Sequence, residues 1–153
     1  MEEQQALLQD LGLGLQAQRR AVRVYEILAA AAPNRREREL LLGVRREERR
    51  HYYFLEAIYE DLSGQGPVPP RVALSLPRQY PEMLKTALCD KLAAIEFYQA
   101  LREKIRCGKN QQLMDFLLAE QKEQARLLAA LYDRSMGQRG QSQDRTEQTE
   151  RPL

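Results

Sequence analysis

Apolar residues recur every three or four positions in four separate stretches of the chain, the spacing that places them along one face of an α-helix. The stretches cover about residues 4–31, 33–63, 80–106 and 110–134. The chain has few β-branched residues and no tryptophan, a composition that favours helices over strands. The pattern therefore predicts an all-α protein with four helices.

Local signals suggest where these helices begin and end. Pro33 suits the first turn of the second helix, because the first turn tolerates a residue without an N–H. Gly108 suits the C-terminal cap of the third helix, and Asn110 suits the N-terminal cap of the fourth. In the third helix, the inward face is expected to include Leu92.

Two segments lack the helical pattern. Residues 63–81 contain five prolines and two glycines, so they cannot form one helix and are long for a tight turn. We predict a long crossover there, between helices two and three. Residues 135–153 have almost no apolar side chains and are predicted to form a disordered polar tail. Residues 1–134 are then one domain, long enough to bury a core without metals or disulfides.

The two halves of the helical region resemble each other. Shifting the chain against itself by 73 residues aligns the first helix pair with the second without a gap. The aligned pairs include Leu15 with Leu88, Tyr25 with Tyr98, Val44 with Leu117, Glu47 with Glu120, and Tyr59 with Tyr132. Identical tyrosines at two positions in one register indicate an internal duplication.

Polar residues interrupt the inward face of every predicted helix at the same level. The helical repeat places one polar residue inward on the first and third helices and two on each of the others. The 73-residue shift maps the members of the first half onto those of the second. The set is Gln18 with Lys91, Glu48 with Gln121, and His51 with Gln124. Six polar groups are therefore predicted to share one layer, flanked by Tyr25 and Tyr98 as core aromatics whose hydroxyl groups bond to it.

Four phrases of the chain resemble the ferritin-like superfamily, and specifically its rubrerythrin-like branch. They are "QRRAVRVYEILA", "EERRHYYFLEAIYEDLSG", "KLAAIEFYQAL" and "EQKEQARLLAALY". The resemblance covers essentially residues 4–134 and implies a four-helix bundle with a long crossover. In such proteins two helices each supply a Glu and the other two each supply Glu-x-x-His, and together these residues bind two metal ions.

The resemblance implies a degenerate metal site, because four of the six ligand positions do not match. Only Glu48 and His51 carry the family's ligands. Gln18 and Lys91 stand where single Glu ligands belong, and Gln121 and Gln124 replace the second Glu-x-x-His. The Lys91 ammonium is expected to pair with Glu48 in place of the metal charge, and the glutamines can complete a hydrogen-bond network with His51. Glu48 and His51 are therefore predicted to be a vestigial, unoccupied site.

Two other interpretations concern the same layer. Glu26, Glu96, Glu120 and Glu123 each lie one position from the inward face, so we expect them to face outward or sideways and not to replace the missing ligands. The alternative to a vestigial site is a single iron or manganese ion held by Glu48 and His51 with help from water or Tyr25.

Charge and cysteine content narrow the choice of partner and compartment. The 24 basic and 22 acidic residues give a net charge of +2 and are largely interspersed, which does not indicate a polyanionic partner. Cys89 and Cys107 lie on one predicted helix about 27 Å apart, too far for a disulfide. No segment has the roughly 18 uninterrupted apolar residues that a membrane span needs. We expect a cytoplasmic protein that does not bind membranes.

The first two helices carry most of the arginines, within residues 19–23, 35–38 and 45–50. Neighbouring glutamates can pair with many of them, so nucleic acid is an unlikely partner. Tyr52, Tyr53 and Phe54 are consecutive and cannot all face one core, so at least one is available to a partner. We predict a homodimer through this face, or an unknown protein partner.

The function predicted from the sequence is that of a non-catalytic structural or binding protein derived from a metal-binding bundle. The chain contains no Cys-x-x-Cys module that could relay electrons. The alternative is a residual oxidoreductase or metal-storage function at Glu48 and His51, with iron or manganese.

Overall fold

The computed structural model describes residues 2–69 and 71–149, with side chains described up to residue 138. The described chain forms four helices: α1 (Glu2–Ala31), α2 (Arg35–Ser63), α3 (Tyr80–Lys104) and α4 (Gly108–Thr149). The all-α fold predicted from the apolar periodicity is confirmed.

The start of α2 differs from the prediction. Pro33 lies before the helix, and Asn34 is the N-cap, whose side-chain oxygen accepts a hydrogen bond from the Glu37 backbone N–H at 2.9 Å. An Asn side chain at this position satisfies a helix N–H that a proline would leave unbonded. The other end of α2 is closed by Gly64, which has a φ of 74° and donates its N–H to the Glu60 carbonyl. This left-handed conformation favours glycine.

The boundary between α3 and α4 also differs from the prediction. The C-cap of α3 is Ile105 in extended conformation, not Gly108, and Gly108 instead begins α4. Asn110 lies within the first turn of α4, where its side-chain N–H donates to Asp61 Oδ2 at 2.9 Å. Ile105 is only 2% exposed, so it packs into the core from an extended residue at the end of α3 and not from within the helix.

The last helix continues beyond its predicted end near residue 134, to Thr149. The prediction of disorder from residue 135 therefore differs from the structure over residues 135–149. This segment contains no proline, the residue that interrupts a helix most strongly, and the helix continues past its two glycines, Gly137 and Gly140. Residues 150–153 of the predicted tail lie outside the described residues.

Each helix packs against two neighbours: α1 contacts α2 and α3, and α4 contacts α3 and α2. Ion pairs between Asp10 and Lys104 and between Arg20 and Asp90 show that α1 and α3 run in opposite directions. Since α2 is antiparallel to α1, α2 and α3 run the same way, and their connection must return along the whole bundle. The 16 residues between them can span about 53 Å when extended, which exceeds the roughly 43 Å length of α2.

The core consists of two apolar clusters. One surrounds Leu28, Leu41 and Leu84, and the other surrounds Leu11, Leu55 and Leu117. The polar layer lies between these clusters. Leu92, predicted to be inside, is 53% exposed, because Lys91 occupies the inward position on that turn and the next residue faces solvent. No helix among the described residues is both long and apolar enough to cross a membrane.

Candidate functional site

The six polar residues predicted to share a layer lie together at the centre of the bundle. All six are buried, with exposed fractions of 3% or less: Gln18, Glu48, His51, Lys91, Gln121 and Gln124. Burial of this many polar groups is costly unless each finds a hydrogen-bond partner. Their mutual contacts therefore decide what the layer can do.

The Glu48 carboxylate contacts one nitrogen-bearing side chain on each of the four helices. Its Oε1 atom lies 3.0 Å from His51 Nδ1 and 3.0 Å from Gln121 Nε2. Its Oε2 atom lies 3.1 Å from Gln18 Nε2 and 3.1 Å from Lys91 Nζ. A carboxylate has about four lone-pair positions. Protein donors therefore use its whole accepting capacity.

The Lys91 ammonium lies on the opposite side of the layer from His51. Besides its ion pair with Glu48, it donates to Gln124 Oε1 at 2.7 Å, and its nitrogen lies 5.2 Å from the centre of the Tyr25 ring. The sequence predicted that the Tyr25 hydroxyl would bond to the polar layer. The structure instead brings Tyr25 to the layer through its ring, which attracts the ammonium by a cation–π interaction.

Gln18 connects the layer to Tyr98. The Gln18 amide N–H₂ group donates to the Glu48 backbone carbonyl at 3.0 Å as well as to the Glu48 side chain. Its Oε1 atom accepts hydrogen bonds from the Tyr98 hydroxyl at 2.9 Å and from Gln121 at 3.2 Å. The Tyr98 ring packs closely against Gly14, where an added Cβ would lie 3.3 Å from Tyr98 Cε1. The predicted bond from Tyr98 to the layer is confirmed.

His51 is held between two carboxylates. Its Nδ1 atom faces Glu48, and its Nε2 atom lies 2.9 Å from Glu120 Oε1. Glu120 is oriented by Arg50, which contacts both of its carboxylate oxygens at 2.8 and 2.6 Å. Carboxylate oxygens only accept, so both contacts are hydrogen bonds when both ring nitrogens carry a proton.

The expectation that Glu120 would face away from the site is therefore wrong. Its side chain begins beside the inward face, but the two methylene groups reach back to His51 while Arg50 holds the carboxylate. The other three glutamates do face outward or sideways, as expected. Glu26 pairs with Arg23 and Arg45 at the surface, and Glu96 and Glu123 are exposed.

The 73-residue correspondence between the two halves extends to the contacts at the edge of the layer. His51 contacts Glu120, and the residue aligned with His51, Gln124, donates to Glu47 Oε2 at 2.8 Å. Glu47 and Glu120 are themselves aligned by the 73-residue shift. Each half of the chain thus supplies the outer glutamate for the inner side chain of the other half.

The electrostatic balance of the layer favours an ionised Glu48. Burial alone would raise the pKa of this carboxyl group, but the attraction of Lys91 and the hydrogen bond from His51 outweigh it and lower the pKa to about 2. Burial lowers the pKa of Lys91, and the attraction of Glu48 opposes that shift. Burial also raises the pKa of Tyr25 and of Tyr98, so both hydroxyl groups stay protonated.

These residues do not fit the two metal ions that the resemblance implies. The Lys91 ammonium lies where a cation would balance Glu48, and two divalent cations need several anionic ligands. No cluster of three or more His, Cys, Asp or Glu side chains within the described residues is arranged to bind a metal. The Glu48 carboxylate would have to give up protein donors to take a metal.

A cavity of about 110 Å³ lies between α1 and α3, beside the polar layer. Its lining includes Gln18, Glu48 and Lys91, which are almost completely buried, and the partly exposed pair of Arg20 and Asp90.

A second buried polar group was not predicted. Glu37 is 2% exposed and accepts hydrogen bonds from Asn34 at 2.6 Å and from the Tyr80 hydroxyl at 3.2 Å. The spacing Asn34-x-x-Glu37 matches a capping box, which is a signal that the sequence does offer. This group ties the start of α2 to the start of α3 and lies apart from the polar layer.

No protein-family profile matches the chain, and no curated protein matches its sequence. Solved structures do match. A ferritin-like, diiron-carboxylate protein from Bacillus anthracis str. Ames superposes with a TM-score of 0.75 at 16% identity, over 86% of this chain and 99% of that one. A two-domain protein from Anabaena variabilis, with DJ-1/ThiJ/PfpI-like and ferritin-like domains, gives a TM-score of 0.71 at 15% identity over 88% of this chain. The match covers only 38% of that second protein.

The protein CopM also has this fold. Its Cu(II)-bound form gives a TM-score of 0.72 at 10% identity, and an Ag-bound form gives 0.71 at 13% identity, each over 84% of this chain and 96% of CopM. At such identities a match shows the fold alone. The chain therefore has the ferritin-like fold, a four-helix bundle with a long crossover between its second and third helices.

Proposed function

We propose that this chain is a non-catalytic structural or binding protein in which an internal ion pair replaces the dimetal centre of a rubrerythrin-like ancestor. The observation that carries the proposal is that protein side chains take all the accepting positions of the Glu48 carboxylate. These side chains are Gln18, His51, Lys91 and Gln121. A hydrogen-bonded layer built around an internal ion pair gives the bundle a specific register, as a bound metal would.

Catalysis at a metal centre would need ligand positions that open and close. Here the remaining carboxylate is balanced by a lysine that, among the described residues, has no other anionic partner within ion-pair distance. Moving Glu48 to a metal would leave Lys91 buried and uncompensated, at a cost of several kcal/mol. This cost favours a permanent structural role for the pair.

The second candidate is residual metal binding, with iron or manganese at Glu48 and His51. One observation favours it: Glu120, which the sequence placed away from the site, lies beside His51 Nε2, so a metal bound to that nitrogen would have a carboxylate next to it. The matched structures, which include a diiron-carboxylate protein and the copper- and silver-bound forms of CopM, favour the same alternative. In this alternative, His51 exchanges a carboxylate contact for the metal.

Metal analysis of the purified protein distinguishes the two candidates. The chain is produced in medium supplemented with iron and manganese, treated with a mild chelator, and measured by inductively coupled plasma mass spectrometry. The proposal predicts far less than one transition metal per chain. Near-stoichiometric metal that survives chelation, and that is lost in a His51→Gln variant, supports the alternative.

Partner and location stay predictions. Of the three consecutive aromatic residues, Tyr53 is the exposed one, while Tyr52 and Phe54 are half-buried. This gives the predicted homodimer one aromatic contact on the α1–α2 face. The cytoplasmic location is likewise a prediction from the sequence.

A further inference from the structure

The α1–α2 face contains a cleft where two arginines converge. The hydrogen bond from Gln18 to the Glu48 backbone carbonyl fixes these two residues at the same height on neighbouring helices. The residues that follow them, Arg19 and Arg49, therefore lie side by side. Both are exposed, and both line one cleft of about 320 Å³ together with Val22, Tyr52 and Tyr53.

The charge of these two arginines is not balanced within the protein. The positions three and four residues away from Arg19 and Arg49 hold only apolar, Gln, Arg and Tyr residues, so no acidic side chain is available on the same helix face. Within the described part of the chain, neither guanidinium forms an ion pair. Other surface arginines differ: Arg23 and Arg45, for example, share the carboxylate of Glu26.

The remaining walls of the cleft are aromatic and apolar. The rings of Tyr52 and Tyr53 meet edge to face, with centroids 5.9 Å apart, and Tyr53 is 56% exposed. A second cleft lined by Val72 and Leu74 of the crossover shares Arg19 and Val22 with the first. The volume is in the range of small-molecule pockets, about 300–1,000 Å³, and leaves room for more than a single phosphate group.

We propose that this cleft binds a phosphate monoester that carries a flat ring. Two guanidinium groups without counter-charges suit a dianion, because each can donate two parallel N–H bonds to phosphate oxygens. The tyrosine rings and Val22 provide the surface against which the flat ring packs. The proposal concerns the surface of α1 and α2 and does not depend on the function proposed for the polar layer. It is an alternative to the homodimer predicted through the same face.

The pseudo-symmetric face of the second half provides a built-in control. The 73-residue shift maps Arg19 on Leu92, Arg49 on Lys122, Tyr52 on Ala125 and Tyr53 on Arg126. Two exposed cations, Lys122 and Arg126, therefore stand at equivalent positions, but Arg126 is ion-paired with Glu123 and neither tyrosine is present there. A ligand that needs both arginines and an aromatic wall should bind the first face and not the second.

Calorimetric and NMR titrations with phenyl phosphate, inorganic phosphate and phenol test the proposal on the full chain. Phenyl phosphate should bind at least about tenfold more tightly than either fragment, and its binding should shift the resonances of Tyr52, Tyr53 and the Arg19 and Arg49 side chains. Each of Arg19→Gln and Arg49→Gln should weaken binding about tenfold, the loss expected for one charge-assisted hydrogen-bond partner. Lys122→Gln should change it less than twofold.

Further measurements identify which kind of molecule carries the phosphate and which results would overturn the proposal. Comparing the affinities for adenosine 5′-monophosphate and phenyl phosphate distinguishes a nucleotide from a phosphorylated aromatic side chain. Tighter binding of either one supports a site for a phosphate monoester that carries a flat ring. Equal weakening by Lys122→Gln would show nonspecific charge attraction and overturn the proposal. It is also overturned if phenyl phosphate does not bind while the arginine variants alter the oligomeric state by sedimentation, because the cleft would then be an interface between copies.

Discussion

Lys91 Nζ lies 3.1 Å from Glu48 Oε2 at the centre of the bundle, and both side chains are almost completely buried. The two residues come from different halves of the duplicated chain and from helices that are diagonal in the bundle. A buried ion pair does not by itself add net stability, because desolvation can offset the attraction. Loss of one partner is different, since it leaves the other charge buried and unpaired.

Lys91→Met should therefore destabilise the protein by about 3–5 kcal/mol. Adding Glu48→Gln to this variant should recover a large part of the loss, because the uncompensated carboxylate is then absent. Urea unfolding of the parent, the two single variants and the double variant measures the coupling as a double-mutant cycle. If the double variant is no more stable than expected from adding the effects of the two single variants, the two residues do not act as a pair.

The folding stability should depend on pH through Glu48. Its pKa is about 2 in the folded protein and 4.5 in its unperturbed state, so the folded state binds this proton less readily. The stabilisation is complete above about pH 4.5 and is lost as the pH falls toward 2, by an amount on the order of 3 kcal/mol. Urea unfolding at pH values from 7 to 2.5 should show this loss in the parent and a shallower one in Glu48→Gln.

Glu26→Gln is the control for that experiment. Glu26 also has a lowered pKa, caused by hydrogen bonds and attraction from Arg23 and Arg45, but it lies at the surface. Salt screens surface pairs more strongly than buried ones. In 1 M salt, any difference between Glu26→Gln and the parent should shrink, while the Glu48 effect should persist. If Glu48→Gln and the parent lose stability identically at low pH, the acid-dependent loss does not come from Glu48.

Glu120→Gln should destabilise the protein by about 1–2 kcal/mol, because it weakens a charge-assisted hydrogen bond to a fully buried histidine. His51 is the only histidine in the chain, so its ring resonances can be assigned without ambiguity and should shift in this variant. Glu123→Gln is the matched control, since Glu123 pairs only with Arg126 on an exposed part of the same helix. Its effect should stay below about 0.5 kcal/mol. Equal effects of the two substitutions would mean that Glu120 is an ordinary surface residue.

The six-residue layer could be predicted from the sequence because it depends on helical register. A residue at an inward step of a long helix has its Cα–Cβ bond directed into the bundle whatever its chemistry. Gln18 and Lys91 could therefore be placed at the centre even though both are polar. The 73-residue duplication gave an independent check, since it mapped one polar position on another.

Contacts that depend on the reach of a long side chain could not be predicted this way. Glu120 begins beside the inward face and arrives at His51 because Arg50, on another helix, holds its carboxylate. Tyr25 turns its ring, not its hydroxyl, toward Lys91. Helix ends were also misplaced: Gly108 was expected to cap α3, but Ile105 does so and Gly108 begins α4.

Restoring the family's ligands tests most directly whether Lys91 and the glutamines occupy the positions of a dimetal centre. The variant combines Gln18→Glu, Lys91→Glu, Gln121→Glu and Gln124→His, with Glu48 and His51 unchanged. Free of metal it should be less stable than the parent, because four carboxylates are packed together without a counter-charge.

The decisive measurement is the melting temperature of this quadruple variant and of the parent as Fe(II), Mn(II) or Co(II) is added. Binding to the folded state alone stabilises by mass action, so the melting temperature of the variant should rise with metal concentration while that of the parent does not change. A folded quadruple variant that responds to none of the three metals, or a parent that responds equally, would contradict the account.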